Sequence, residues 1–143
     1  MTSKGEEFEL YKLTIEMADR LSARRGAANT FFISLDSALS AALGVWIGNG
    51  ETISLRRALA LGSVSVMISV LWWIQVTSYR NISTAKFTVI HEIEEKLSFD
   101  PYTKEWALLK AKGKWHFDLT NSERITPFVF LAIHLILIWT ATR

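Results

Sequence analysis

The chain has 143 residues, half of them hydrophobic, and a formal net charge of +2. A charge this small gives no electrostatic argument for a nucleic-acid partner. The absence of cysteine excludes a disulfide framework, a thiolate metal site and a cysteine nucleophile. The chain also has no phosphate-binding glycine loop, His-Glu metalloprotease helix or serine nucleophile elbow. We therefore expect no enzyme activity and no bound cofactor or metal.

Residues 1–28 predict an amphipathic helix. Its apolar residues recur at spacings of three and four, as on one face of a helix: Leu10, Leu13, Met17 and Leu21. Acidic residues are mixed with basic ones throughout, unlike the basic-then-apolar order of a cleavable signal peptide. We therefore expect the first membrane span to be retained, and the helix is able to continue into it.

Three long apolar segments predict three transmembrane helices, at residues 29–48, 55–78 and 121–142. Charged residues are nearly absent from the centre of each segment, and each has about the 20 residues that a helix needs to cross the hydrocarbon layer. Helices in soluble cores are usually shorter and carry a charged face. The sequence therefore predicts an all-α membrane protein with three transmembrane helices per subunit.

The connections between these spans differ in kind. Residues 48–51, Gly-Asn-Gly-Glu, predict a tight turn between the first two spans. No helix breaker follows the second span, so we predict one long helix that continues into residues 79–120, a cytoplasmic helical extension. Asp100 and Pro101 predict the end of that helix and the start of a short one, with Asp100 as its N-cap.

Pro127 leaves two interpretations of the third span. A helix that starts at Pro127 has only 16 residues before the apolar segment ends. Its length is about 24 Å, which is short for a bilayer. A helix that starts at Asn121 and contains Pro127 as a kink has the required length. We favour the kinked helix.

The distribution of positive charge predicts the orientation. Thirteen of the 16 Lys and Arg residues fall in residues 1–28 and 77–124, which leaves only Arg56, Arg57 and Arg143 for the opposite side. By the positive-inside rule, the N-terminus and the segment 79–120 are cytoplasmic, and the C-terminus lies outside.

Several short motifs, in order along most of the chain, resemble the RipA-type family of small bacterial membrane proteins. They are YKL at 11–13, EMADRLSARR at 16–25, NTFF at 29–32, STAKF at 83–87, VIHE at 89–92, PY at 101–102, EW at 105–106, LT at 119–120 and ER at 123–124. The resemblance implies a homo-octamer in the bacterial inner membrane. In that membrane, the C-terminus that the charge distribution places outside is periplasmic. It implies no reaction, substrate or catalytic residue.

Two faces of small residues independently favour self-association. An arc of roughly 160° on the first span contains Ser34, Asp36, Ser37, Ser40, Ala41 and Gly44. One face of the second span contains Ala58, Gly62, Ser65 and Ser69. Small residues at such spacings let helices approach closely. The faces either pack the helices of one subunit or join subunits, and two separate faces favour a homo-oligomer, with Gly44, Ala58, Gly62, Ser65 and Ser69 as packing residues.

Asp36 and His134 are the ionisable residues in the interior of the predicted spans, away from the span ends, and they lie at similar depth. An unpaired charge at this depth costs several kcal/mol, so such residues usually have a partner or a function. One interpretation is the polar lining of a pore or a proton-responsive site. The other, which we favour, is a satisfied hydrogen bond between helices that involves Ser37 or Ser40.

The segment 79–120 contains two weaker candidates. His91, Glu94 and Glu95 have the spacing of helical metal ligands, but a second ligand cluster is missing and a solvated charged face is favoured. Basic and aromatic residues further along suit anionic lipid headgroups: Lys110, Lys112, Lys114, Trp115 and Phe117.

Two classes of function remain. The first, which we favour, is a structural or scaffolding homo-oligomer whose partners are itself, the lipid bilayer and a cytoplasmic protein. The alternative is a channel or transporter with a conduit along the oligomer axis. An axis lined by Asp36, Ser37 and Ser40 favours the conduit, and a lipid-filled or leucine-lined axis favours the scaffold.

Overall fold

The computed structural model describes residues 4–50, 52–97, 99–111 and 119–143. These residues form four α-helices and no strand: α1 (Lys4–Gly48), α2 (Leu55–Glu94), α3 (Pro101–Ala111) and α4 (Leu119–Ala141). Three of them, α1, α2 and α4, contain stretches long and apolar enough to cross a membrane. The predicted all-α fold with three transmembrane helices is confirmed.

The turn after α1 forms where the two glycines predicted it. The amide of Gly50 donates to the carbonyl of Ile47 at 3.0 Å. Gly50 has a φ of 70°, a conformation that glycine adopts without the steric cost other residues incur. The chain then returns to the bundle, because the amide of Ile53 donates to the carbonyl of Ala141 at 3.0 Å. Glu51, within the predicted turn, lies outside the described residues.

The other helix ends also follow local chemistry. Helix α2 is continuous for 40 residues, as predicted from its lack of a breaker. Helix α3 begins at Pro101, where a missing N–H has no consequence. Helix α4 contains Pro127 within its 23 residues and is about 34 Å long, so the kinked interpretation agrees with its bounds. The predicted headgroup-binding cluster, 110–117, lies outside the described side chains.

The chain divides into two compact units, of which the first contains Met1–Arg25 and Ser78–Asp118. Its core is formed by Tyr11, Ala18 and Ile90, with Tyr102 packed against them. The predicted apolar stripe does not supply this core: Leu10, Leu13 and Met17 are 48–55% exposed. The stripe lies roughly 100° around the helix from Tyr11 and Ala18, and the face that contacts α2 is the one with the tyrosine.

The second unit contains Gly26–Thr77 and Leu119–Arg143, and therefore the three apolar segments. Near the turn, Leu43 of α1, Ala58 of α2 and Ile138 of α4 form a buried cluster. A second cluster is aromatic, where the rings of Phe32 and Trp72 stack with centroids 5.6 Å apart. These two clusters hold the three helices together on either side of the residues described next.

Candidate functional site

Asp36 and His134, the ionisable residues in the interior of the predicted spans, lie side by side in the second unit. Asp36 is on α1 and His134 is on α4, 98 positions later. Both are 0% exposed. Nδ1 of His134 is 3.8 Å from Oδ1 of Asp36. The fold thus brings together two residues that the sequence placed only at similar depth.

Ser40 joins this pair and determines which nitrogen of His134 carries hydrogen. The Ser40 hydroxyl donates to the carbonyl of Asp36 at 2.8 Å, and the same oxygen lies 2.9 Å from Nε2 of His134. Nε2 is also 3.2 Å from the Asp36 carbonyl, which only accepts. Because the hydroxyl hydrogen is committed, Ser40 accepts from His134, and we assign the imidazole hydrogen to Nε2.

This assignment leaves two acceptors facing each other. Nδ1 of a ring protonated at Nε2 is an acceptor, and an ionised carboxylate accepts only. Among the described residues, neither this nitrogen nor either carboxylate oxygen of Asp36 has a hydrogen-bond partner. One proton held by either residue converts the repulsion into an attraction. The arrangement therefore suits a pair with one shared proton and no net charge, the state that an apolar environment favours.

Ser37 does not join this cluster. The sequence grouped it with Asp36, Ser40 and His134, but the structure places it on the exposed side of α1. Each residue advances about 100° around a helix, so the face that turns Asp36 and Ser40 inward turns Ser37 outward. The arc of roughly 160° is divided between the subunit interior and its surface.

The small-residue face of α2 is used mainly within the subunit. Ala58, Ser65 and Ser69 are all buried against the other helices of the second unit. The Ser65 hydroxyl donates to the carbonyl of Leu61 at 3.0 Å, which satisfies it locally. Gly62 is only half-buried. For this face, packing within one subunit is the better interpretation.

The small residues of α1 behave differently. Ser34, Ala41 and Gly44 are exposed, as is Ser37. A Cβ atom added at Gly44 meets nothing within 4 Å, and the same is true at Gly62. Packing within the subunit therefore does not require glycine at either position.

The first unit contains a buried carboxylate whose role the sequence did not reveal. Glu94 is 2% exposed. It accepts hydrogen bonds from the hydroxyl of Tyr11 at 2.8 Å, the amides of Tyr102 and Thr103 at 2.9 and 3.0 Å, and the Thr103 hydroxyl at 2.7 Å. Glu94 thus connects α1, α2 and α3 within this unit.

Two predictions about this region are corrected by Glu94. It does not belong to a solvated charged face, and it, rather than the Asp100 side chain, caps the free amides at the start of α3. The Asp100 carboxylate instead pairs with Lys104 at 2.7 Å. Nδ1 of His91 lies 2.9 Å from the Thr103 hydroxyl, which already donates to Glu94. His91 and Glu94 are therefore engaged by Thr103 rather than arranged as a metal site.

These contacts perturb the acidity of both partners. Burial alone raises the pKa of Glu94, but hydrogen bonds from Thr103, Tyr102 and Tyr11 outweigh it and hold the pKa below its ordinary value. Burial, and then the hydrogen bond to Glu94, raise the pKa of the Tyr11 phenol. Glu94 therefore stays ionised and Tyr11 stays a donor. The sequence signal was weak, because Tyr11 and Glu94 are 83 positions apart.

The comparison with known proteins gives the family. Residues 8–142, nearly the whole chain, match the model of the octameric membrane protein family (8xMP). The chain belongs to this family. No curated protein and no solved structure matches the 8xMP chain. The resemblance drawn from the short motifs is therefore confirmed, and so is self-association as the family's stated property.

Membership in an octameric family implies that part of the surface of an 8xMP subunit contacts other copies of the chain. In an octamer, some of the exposed side chains of one subunit are covered by other copies, and others face lipid. Asp36 and His134 are covered already, by the helices of their own subunit. Ser34, Ser37, Ala41 and Gly44 are exposed in the single chain, so they are available to contact another copy.

Proposed function

We propose that the protein is a structural or scaffolding octamer of the inner membrane. Its N-terminus and residues 79–120 are in the cytoplasm and its C-terminus is in the periplasm. We propose that the protein is not an enzyme. The charge distribution along the sequence supports this orientation, and membership in an octameric membrane protein family supports the assembly.

The observation that carries the proposal is the enclosure of Asp36 and His134. A conduit for ions needs polar groups along a hydrated path. The side chains of Asp36 and His134 are instead enclosed within the subunit, where Ser40 and the Asp36 carbonyl accept from His134. An enclosed polar contact between α1 and α4 fits a role in holding helices together. It does not fit a role in passing ions along an axis between subunits.

The alternative is a channel or transporter along the oligomer axis, and one observation favours it. The exposed face of α1 contains the hydroxyls of Ser34 and Ser37, which are able to line a hydrated axis. The two functions make opposite predictions about Ser37. A lining residue controls flux, whereas a contact residue controls assembly.

Reconstitution into liposomes separates the two functions. After native mass measurement has established the octamer, cation and proton flux are measured with pH- and ion-sensitive dyes. The scaffold predicts flux no greater than that of protein-free liposomes, and no change on Asp36→Asn substitution. Flux that depends on the octamer and is blocked by Ser37→Phe would overturn the scaffold in favour of the conduit.

A further inference from the structure

The second unit has an open apolar groove between α2 and α4. Its volume is about 640 Å³, and its lining includes Leu55, Leu59, Gly62, Val66, Leu135 and Trp139. The five large side chains among these are 43–73% exposed. The remaining one, Gly62, leaves space for an approaching backbone, since a Cβ there meets nothing within 4 Å.

The floor of the groove is part of the packed core. Ala58 and Ile138 line the groove and also belong to the buried cluster around Leu43. The groove therefore lies on a surface whose shape the core determines.

Symmetry restricts how eight copies use such a groove. Because the positive-inside rule gives every copy the same orientation, no two-fold axis in the membrane plane relates copies within one bilayer. A closed octamer of uniformly oriented subunits is then a ring about the membrane normal. Neighbours in a ring meet through two different faces, one from each subunit. A groove on one side therefore requires a complementary face elsewhere on the subunit.

Helix α1 supplies a face that fits. Its exposed small residues alternate at spacings of three and four, the period of helices that pack along a shallow seam: Thr30, Ser34, Ser37, Ala41 and Gly44. Depths also match across the turn between the helices. Ala41 lies seven residues before the end of α1, and Gly62 lies seven residues after the start of α2.

We propose that the small-residue face of α1 in one subunit packs into the α2–α4 groove of the next, and that this contact repeats around the octamer. The inference rests on the octameric assembly and specifies its interface. Small side chains on the inserted helix let its backbone approach Gly62, while Leu59, Val66 and Leu135 enclose it from the sides. Close approach of this kind is what holds helices together in lipid, where no hydrophobic gain is available between them.

The absence of cysteine from the chain makes disulfide cross-linking a clean test. Ser37 and Val66 lie at matching depth on the two proposed faces, so Ser37→Cys and Val66→Cys are placed together in one chain. After oxidation in native membranes, the double variant should give a ladder of covalent species extending to the octamer. Each single variant should give no covalent species larger than one chain, because a contact between two different faces never brings identical positions together. A mixture of the two single variants should give dimers and nothing larger.

A matched control uses Leu35, which is exposed and only two residues from Ser37. Two residues correspond to about 200° of rotation, so Leu35→Cys with Val66→Cys should give no ladder. Native mass measurement of the unmodified protein and of the reduced variants is done first. If the unmodified protein forms no octamer, that result counts against the assembly itself.

Three outcomes, each with an intact octamer, would overturn the interface alone. The first is dimer formation by Ser37→Cys by itself, which indicates a symmetric contact between identical faces. The second is a ladder from Leu35→Cys equal to that from Ser37→Cys. The third is no ladder from the Ser37/Val66 pair together with retained lipid in the native mass spectrum, which indicates that acyl chains occupy the groove.

Discussion

Substitution of Asp36 tests the enclosed pair most directly. Asp36→Asn keeps the shape of the side chain and supplies N–H groups of its own. One of them is directed at Nδ1 of His134, the acceptor that faces residue 36 at 3.8 Å. The substitution also removes the need for a shared proton. We expect the stability of the variant to fall by less than about 1 kcal/mol.

Asp36→Leu should behave differently. It keeps a similar volume but leaves Nδ1 of His134 as a buried acceptor with nothing to bind. An unsatisfied group of this kind costs about 1–2 kcal/mol in a membrane bundle, where polar contacts are worth less than a simple transfer argument suggests. Replacing both residues, Asp36→Leu with His134→Leu, removes the unsatisfied acceptor and should restore part of the loss. The coupling between the two sites should be about 1 kcal/mol.

The assay is reversible unfolding of the purified protein in mixed micelles, followed by the loss of helical circular dichroism as denaturing detergent is added. Leu35→Ala, next to Asp36 in sequence but exposed and outside the proposed contact between subunits, is the matched control for the free energy of unfolding. Equal losses from Asn and Leu at position 36 would refute the reasoning. So would a double variant whose loss is the sum of its single losses, because the pair would then not interact.

Three further predictions concern other parts of the chain. Topology comes first: a reporter fused after Arg143 should give an external signal and one inserted at Gly113 a cytoplasmic signal, and the reverse result would contradict the orientation. Glu94 should make the first unit sensitive to acid. Because the pKa of Glu94 is lower in the folded chain than in the unfolded one, its contribution to the stability of this unit is complete above about pH 4.5. The contribution is lost as the pH falls through the folded pKa. Glu94→Gln should lower the stability of the first unit by about 2 kcal/mol at neutral pH. It should also make that stability, measured by amide hydrogen exchange in α3, less dependent on pH; an unchanged pH profile would contradict the prediction. Finally, Gly62→Leu should shift native mass spectra toward smaller species, since it fills the groove, whereas Ala60→Leu, exposed but outside the groove, should leave the octamer intact.

The features that the sequence determined are those with local causes. Three apolar segments of sufficient length specify three crossing helices whatever their neighbours are, because the cost of exposing polar groups to lipid depends on length and composition. The turn at Gly50 and the start of α3 at Pro101 follow from backbone properties of single residues. The family resemblance belongs to the same category, since short motifs are also local.

The choice of which face of each helix turns inward needed the tertiary structure. Ser37 and Asp36 are adjacent in sequence and similar in local pattern, yet one is exposed and the other is enclosed. In the first unit, Tyr11 rather than the leucine stripe faces α2, because its hydroxyl reaches Glu94. Helix periodicity identifies residues that share a face, but a rotation of about 100° about the helix axis exchanges one face for the next.

Glu94 is a second example of a feature that the sequence alone could not determine, here the burial of a polar group. A glutamate near a helix end, with a histidine and a second glutamate beside it, has the local pattern of a solvated surface. Its four hydrogen-bond donors come from Tyr11, Tyr102 and Thr103, on two other helices. Whether a carboxylate is hydrated or buried depends on donors that meet it only once the chain has folded. Sequence spacing carries no information on contacts of this kind, and the packing of helices against one another decides them.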